Sequence, residues 1–443
     1  MKAPNKNFCI APWVHTYTSP QTERRLCCAS REDSTYIQQY IDTPGESKIE
    51  YQPISLEEHW NSEPMKSVRR RMISGEKLSE CDVCQDQILS LHTYRSYFTD
   101  NLFPHLIEDA LESTDETGYT TMEPISFDYR LSNHCNFKCR MCGEQLSSAW
   151  ETEKRKYDEW DPKAEPWMIP ENRKVIQTFQ ESQVLSELEA VVDNKTIREM
   201  YWVGGEPLMW PDHWRLMEKM VDNGVAKEVL VRYNTNLSRI DWKGKNLYDD
   251  YLIHFKDSNI CASLDGIGRV GEWIRTGLDW NSWDQNFRRG IKFRDDNSFR
   301  HDYIVLDLTL TLPGLLHIRD FIDYANELNS KVYTKIIFAF DPSVVLSPFA
   351  LPRDIFNKVL DKALWHAKEA GSVNTISIKE TLEAMKDRPV FEEEFPDTYR
   401  EAFKNNRDYQ NRQAIRRGDG ENGKMTLEEI YAINKDVLNW WTQ

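Results

Sequence analysis

The sequence predicts an α/β chain: a partial, open (β/α)6 TIM-like barrel, preceded by a cysteine-rich N-terminal module and followed by a helical C-terminal extension. Three observations predict it. Strand-like and helix-like runs alternate from residue 125 to residue 340, which is the pattern of a parallel, right-handed βα array. Polar, mostly glycine-bearing motifs follow several of those strands, and in such an array strand C-terminal ends share the face where barrel enzymes place their chemistry. Eight of the nine cysteines fall into three groups, with Cys261 standing apart. The expected divisions are 1–105, 124–342 and 343–443.

Composition bounds the function before any motif is read. A formal net charge of -16, from 72 acidic and 56 basic residues, disfavours nonspecific binding to nucleic acid or an anionic membrane, which needs a positive surface. The arginine cluster at 69–71 is the local counter-signal, and on a helix it reads as a solvated face. No run approaches the roughly 18 apolar residues of a membrane span, and the first residues lack the apolar run of a secretory signal. A cytoplasmic location is expected. Clustered cysteines in such a chain point to metal or cluster ligation and not to disulfides. The 15 Trp, 19 Tyr and 18 Phe speak of packed surfaces and name no ligand.

In chain order, residues 8–17 read as a strand after Pro12, 20–25 as a polar turn and 26–28 as the return, so a hairpin would bring Cys9 near Cys27 or Cys28. Two short helices follow, one opened by Ser55 and one, at 64–72, by a proline in its first turn. Cys81 and Cys84 then form a tight CxxC pair. Cys9, Cys28 (or Cys27 in its place), Cys81 and Cys84 make four thiolates, a complete shell for a four-iron cluster or for zinc. Residues 106–122 are acidic and poorly periodic, and read as a connection.

Residues 125–131 alternate like a half-buried strand and run into Ser-Asn-His-Cys-Asn-Phe-Lys-Cys-Arg-Met-Cys-Gly, so Cys135, Cys139 and Cys142 lie on the loop leaving that strand, spaced CxxxCxxC. Three thiolates so close can hold a cubane iron-sulfur cluster by three of its four irons, leaving one iron open. His134, adjacent to Cys135, is poorly placed to complete a zinc tetrahedron. Residues 145–157 read as a helix, and 158–173, with three prolines, as an irregular insertion that is either surface decoration or a lid.

The remaining strands are 199–203, 229–233, 260–264, 304–311 and 332–340. The first leads into Gly204-Gly205-Glu206-Pro207, where two glycines permit close backbone approach and a carboxylate can accept from an ammonium group. The second ends in Asn234-Thr-Asn236-Leu237 and the third in Ser263-Leu-Asp265-Gly266. Asp265 before a glycine also suits a simple turn. Helices are expected at 212–222, 313–328 and 352–370, a polar loop at 405–423, and a last helix opened by a Thr426/Glu429 capping box, with Trp440 and Trp441 packing it down.

This order of motifs resembles the radical S-adenosylmethionine superfamily. The resemblance implies that Cys135, Cys139 and Cys142 hold a [4Fe-4S] cluster whose open iron is chelated by S-adenosylmethionine, and that Gly204, Gly205 and Glu206 bind the methionine half. Asn236 is similar to the family's Thr-Asn-Gly asparagine, with Leu237 in place of the glycine. Ser263 and Arg275 would contact the cofactor's ribose or carboxylate, Asp265 would face the active site as the catalytic candidate, and Met141 would pack on adenine as a polarizable contact. The N-terminal cysteines resemble the SPASM and twitch modules of such enzymes, here ahead of the barrel, which implies one auxiliary [4Fe-4S] cluster, with zinc as the other occupant.

The expected function is therefore reductive cleavage of S-adenosylmethionine to a 5′-deoxyadenosyl radical that abstracts hydrogen, in an oxidoreductase or maturase-like enzyme modifying a peptide or protein side chain. A small molecule such as a sugar or nucleotide is the alternative substrate, and a non-catalytic Fe-S or zinc-binding interaction protein the alternative of another class. A flavodoxin or ferredoxin is the expected electron donor.

Overall fold

A computed structural model describes residues 3–30, 39–42, 49–85, 93–337 and 344–443 of the chain. They form two compact units, one built from residues 1–135, 144–233 and 250–258, the other from 136–143, 234–249 and 259–443.

The first unit carries a sheet in the order 24–25, 15–18, 126–129, 199–202, 230–233. Its strands are parallel except at the outer hairpin, where Tyr17 faces Arg25 and Thr18 faces Arg24. The hairpin turn is completed by Thr22 at φ +64. His15–Thr18 also pairs in parallel with Ser126–Tyr129, so a strand from the cysteine-rich segment extends the sheet that leads into the CxxxCxxC loop. Glu199–Trp202 is followed by the helix Pro211–Asp222, which starts on a proline and is followed by Gly224 at φ +80. That helix turns Trp214, Leu216, Met217 and Met220 inward. A separate apolar cluster, including Phe8, Trp13, Val68, Met72 and Phe98, packs the N-terminal segment.

The second unit holds three parallel strands, 259–263, Ile304–Leu310 and Val332–Ile336. Residues 338–340, which the sequence reading gave to the last strand, lie outside the described residues. Helices Trp280–Asp296, Ile318–Glu327, Arg353–Ala370 and Tyr399–Arg417 accompany them. All six expected barrel strands are present, and the sheet is mostly parallel.

Four local expectations are corrected. Residues 158–173 are not irregular throughout: a 3-10 turn, Pro166–Met168, leads into the helix Pro170–Phe179, whose proline occupies the first turn instead of breaking it. The acidic connection contains the helix Ile107–Glu112. The helix expected at 313–328 is divided at His317 into Leu312–Leu316 and Ile318–Glu327. The polar loop expected at 405–423 is mostly the helix Tyr399–Arg417, ended by Gly418 at φ +66. Its buried side is Asn406, Gln410, Gln413 and Arg417, with Tyr399 the one aromatic. A stripe of amides and a guanidinium carries no hydrophobic periodicity, so the helix is silent to that criterion. Among the described residues no helix is long and apolar enough to cross a membrane.

Candidate active site and a cysteine-lined cavity

The first half of the CxxxCxxC loop is held within the first unit. Asn133 donates to the Glu144 carbonyl at 3.0 Å and to Glu151 at 2.8 Å, and accepts from Arg173 at 2.8 Å. The Cys135 amide donates to Ser148 Oγ at 3.2 Å. The carbonyl of His134 accepts from the Glu206 amide at 2.8 Å and from Trp210 Nε1 at 3.3 Å. Gly204 and Gly205 adopt φ +85 and +51, and a Cβ on Gly205 would lie 2.6 Å from that same carbonyl. Both glycines are therefore required by backbone angle, Gly205 also by contact with the loop and Gly204 by the Arg130 side chain, which a Cβ would meet at 2.7 Å. Glu206 is 1 % exposed and caps the turn that follows by accepting from the Leu208 amide at 3.0 Å.

The second half of the loop belongs to the second unit. Lys138–Cys139 pairs antiparallel with Arg275–Thr276, placing Arg275 opposite Cys139. Arg275 Nη1 points to Cys139 Sγ at 3.8 Å, and its Nε contacts Asp265 Oδ2 at 2.7 Å. Asp265 is fully buried and also accepts from the Thr309 amide at 2.8 Å. Burial pushes the Asp265 carboxyl above its ordinary value, with Arg275 opposing. For Arg275, burial works against the charge, but Asp265 and Cys139 outweigh it and hold the guanidinium above its ordinary value. The Cys142 amide donates to the Cys139 carbonyl at 3.0 Å. Among the described residues the three cysteines are not gathered into a finished metal-binding set, but a guanidinium directed at the Cys139 sulfur suits an anionic iron-sulfur group.

Asn236 is 7 % exposed and donates to Asn136 Oδ1 at 3.0 Å, one residue past Cys135. Leu237 adopts φ +51, the left-handed conformation a glycine would take without strain. Ser263 is half-buried and stands opposite Asp307 in the strand register, while Met141 is half-buried on the loop itself. Asp307 in turn binds Lys335 at 2.7 Å and Asn234 at 2.8 Å.

The N-terminal cysteines surround a cavity in the first unit. Cys9, Cys27, Cys81 and Cys84 line it together with Arg95 and Phe98. Cys27 lines the cavity; Cys28, the sequence-level preference, bonds instead to Tyr94 and feels the charges of Asp128 and Arg130. Burial pushes the Cys9 thiol up to about 11 and the Cys81 thiol up to about 12. The Ala11 amide and the Thr99 hydroxyl hydrogen-bond toward Cys9, and the Ala29 amide toward Cys27. Arg95 Nε and Nη2 are buried with no hydrogen-bond partner among the described residues, although Nη1 reaches the Lys6 carbonyl at 3.3 Å. Among the described residues no three His, Cys, Asp or Glu side chains are gathered into a finished metal-binding set, so the cysteines stand as a lining and not a closed shell. Four thiols and buried guanidinium donors without partners give this lining the donor chemistry of an anion site.

Sequence reasoning missed a charged network on one face of the first unit's sheet. Arg232 is stacked against Tyr97 and Tyr201, 4.3 and 4.2 Å from their ring centroids, and binds Glu199 at 3.0 Å. Glu199 also accepts from Tyr97 at 2.8 Å and from Ser126, whose hydroxyl pairs with His15 Nδ1 at 2.7 Å. Arg130 binds Asp128 at 3.1 Å and lies over Tyr17. Its signal was available: charged residues at alternate positions of strands that are otherwise apolar.

No curated protein matches the chain. Residues 129–292 match the family model for the Radical SAM superfamily, a span that contains the cysteine triad, Gly204-Gly205-Glu206, Asn236, Ser263, Asp265 and Arg275, and the chain thus carries a Radical SAM superfamily domain over those residues.

Proposed function

We propose that this protein is a radical S-adenosylmethionine enzyme with an auxiliary [4Fe-4S] cluster in its N-terminal cysteine cavity, and that it carries out redox modification of a peptide or protein side chain. The Radical SAM superfamily domain supports reductive cleavage of S-adenosylmethionine. The observation that carries the reading is the seating of Gly204-Gly205-Glu206 against the CxxxCxxC loop through the His134 carbonyl, which couples the expected methionine site to the expected cluster site.

When bound, the cluster and S-adenosylmethionine supply an electron and a 5′-deoxyadenosyl radical for hydrogen abstraction. Cys135, Cys139 and Cys142 are the ligand residues. Gly204 and Gly205 keep side chains off the methionine-binding turn, and Glu206, held in the interior, is the acceptor for an ammonium group. Ser263 and Asn236 orient the cofactor's polar groups, and Met141 supplies an apolar contact. Asp265, through its bond to Arg275, sets the electrostatics beside Cys139. Cys9, Cys27, Cys81 and Cys84 hold the auxiliary group, zinc being its other candidate occupant, and a flavodoxin or ferredoxin supplies electrons.

A small polar substrate, such as a sugar or nucleotide, is the second reading, favoured by the charged Arg232, Glu199, Arg130 and Asp128 face. The test is anaerobic reconstitution with iron and sulfide, reduction with dithionite, addition of S-adenosylmethionine and detection of 5′-deoxyadenosine by mass. Product that vanishes when Cys135, Cys139 and Cys142 are replaced by alanine supports the reading. A loaded open-iron cluster that releases none, with peptide and small-molecule pools supplied, sinks it in favour of a binding scaffold.

A further inference from the structure

The C-terminal extension bears no chemical motif, yet it grips the cluster loop. Helix Tyr399–Arg417 buries Asn406, Gln410, Gln413 and Arg417 at helical spacing. A buried face of this kind is stable only where its polar groups find partners. Two of them find those partners on or beside residues 138–140. Arg417 Nη1 donates to the Lys138 carbonyl at 3.0 Å and to Thr276 Oγ1 at 3.2 Å, bridging the two-stranded ladder that carries Cys139. Gln410 accepts from Arg140 Nη1 at 3.4 Å.

Just past the helix, Asp419 forms an ion pair with Arg140, the residue following Cys139, and accepts from Trp273 Nε1 at 2.9 Å. The Arg140 guanidinium lies 3.9 Å from the Trp273 ring centroid, and its Nε donates to the Trp273 carbonyl at 3.0 Å. The Arg140 side chain is 1 % exposed and that of Asp419 5 %. A buried pair of this kind contributes little net stability, but it fixes geometry, and losing one partner strands the other charge.

We propose that the turn Arg417-Gly418-Asp419 is a clamp that holds residues 138–140, and with them the Cys139 sulfur, in position to receive the cluster. Asp419 and Arg417 are positioning residues that act through Arg140 and the Lys138 carbonyl. A loop held this way loses less freedom when its ligands close on metal. The inference rests on the reading of Cys135, Cys139 and Cys142 as cluster ligands.

The test uses the full-length chain, reconstituted anaerobically, as wild type, Asp419→Asn and Asp419→Glu. Two readouts separate positioning from general stability: the fraction of the reduced EPR signal that responds to S-adenosylmethionine, and the rate of iron release to a chelator. Asp419→Asn is expected to lose most of the responsive signal and to release that iron about ten-fold faster, the scale of effect seen when groups supporting metal ligands are removed. Its circular dichroism and its unresponsive signal should match wild type, and Asp419→Glu, which keeps the charge, should retain more of the responsive signal. Wild-type behaviour in Asp419→Asn overturns the clamp. So does equal loss in both variants, or loss of all iron together with a lowered unfolding midpoint. A wild-type protein with iron loaded but no responsive signal overturns the cluster reading and the clamp with it.

Discussion

Arg275 directs Nη1 at the sulfur of Cys139 across 3.8 Å, from the strand position directly opposite it. Its Nε forms an ion pair with Asp265, so the guanidinium cannot leave this position without stranding a buried carboxylate.

Replacing Arg275 with glutamine removes that cation and leaves Asp265 buried without its ion-pair partner. The unfolding free energy in urea should fall by about 3 kcal/mol, the cost typical of breaking a buried pair from one side. The reduction potential of the reconstituted triad cluster should shift negative, because a nearby positive charge favours the more negatively charged, reduced state. A potential equal to wild type would remove Arg275 from the electrostatics of the site.

Gly205→Ala and Gly224→Ala form a matched pair. Both glycines have positive φ, but a Cβ at 205 meets the His134 carbonyl at 2.6 Å, whereas one at 224 meets nothing within 4 Å. The first substitution should cost about 3 kcal/mol and suppress 5′-deoxyadenosine formation; the second should cost about 1 kcal/mol and leave turnover intact. Equal effects on turnover would show that the turn does not seat the loop.

Cys27→Ala should abolish auxiliary loading, read as iron and sulfide per chain in protein whose triad is already replaced by alanine, while Cys28→Ala should retain it. The reverse result would restore Cys28 as the ligand. Loading should also rise with pH, because Cys9 and Cys81 have thiols raised to about 11 and about 12 and must release protons to bind metal. Arg95→Gln should move the potential of that site negative with the iron count unchanged; an unchanged potential would mean that the guanidinium does not face the bound group.

Acid stability should depend on three buried histidines: His15, which burial holds below its ordinary value, and the pair His59 and His213. Burial lowers His59 and His213 to about 3. Their folded values lie below the unfolded value of about 6.5, so the unfolded chain takes up the extra proton. Stability is full above about pH 6.5 and falls toward pH 3, by about 1.4 kcal/mol per pH unit for each histidine. His213→Gln should reduce the slope of urea midpoint against pH between 6.5 and 4.5, with His59 and His15 supplying part of what remains. A wild-type midpoint that stays flat over that range would contradict the assignment.

Much of the barrel was legible because its strands are apolar runs of ordinary length that end in glycine-bearing turns, and because the order of motifs from the Cys135, Cys139 and Cys142 triad to Asp265-Gly266 is that of the Radical SAM superfamily domain matched over residues 129–292. What escaped was structure held by polar contacts. Helix Tyr399–Arg417 hides an amide stripe where an apolar one is the usual signal. Pro170 looked like a breaker and is a helix start. The choice between Cys27 and Cys28 turns on which way two adjacent thiols face, and a shared place in the chain cannot decide that. Asp265 and Arg275 were each read as facing a ligand, and no pattern in one dimension indicates that they face each other.

The parallel pairing of His15–Thr18 with Ser126–Tyr129 has a consequence for the order of synthesis. The earlier strand leaves the ribosome about 110 residues ahead of its partner, an interval of roughly ten seconds at ordinary elongation rates. Cys9 emerges just ahead of that interval and Cys27, Cys28, Cys81 and Cys84 within it, all before the strand that anchors their segment has been made. The cysteine cavity is thus completed late although its residues come first, and a nascent chain that met iron or an oxidant during the wait would face it with thiols not yet enclosed by the fold.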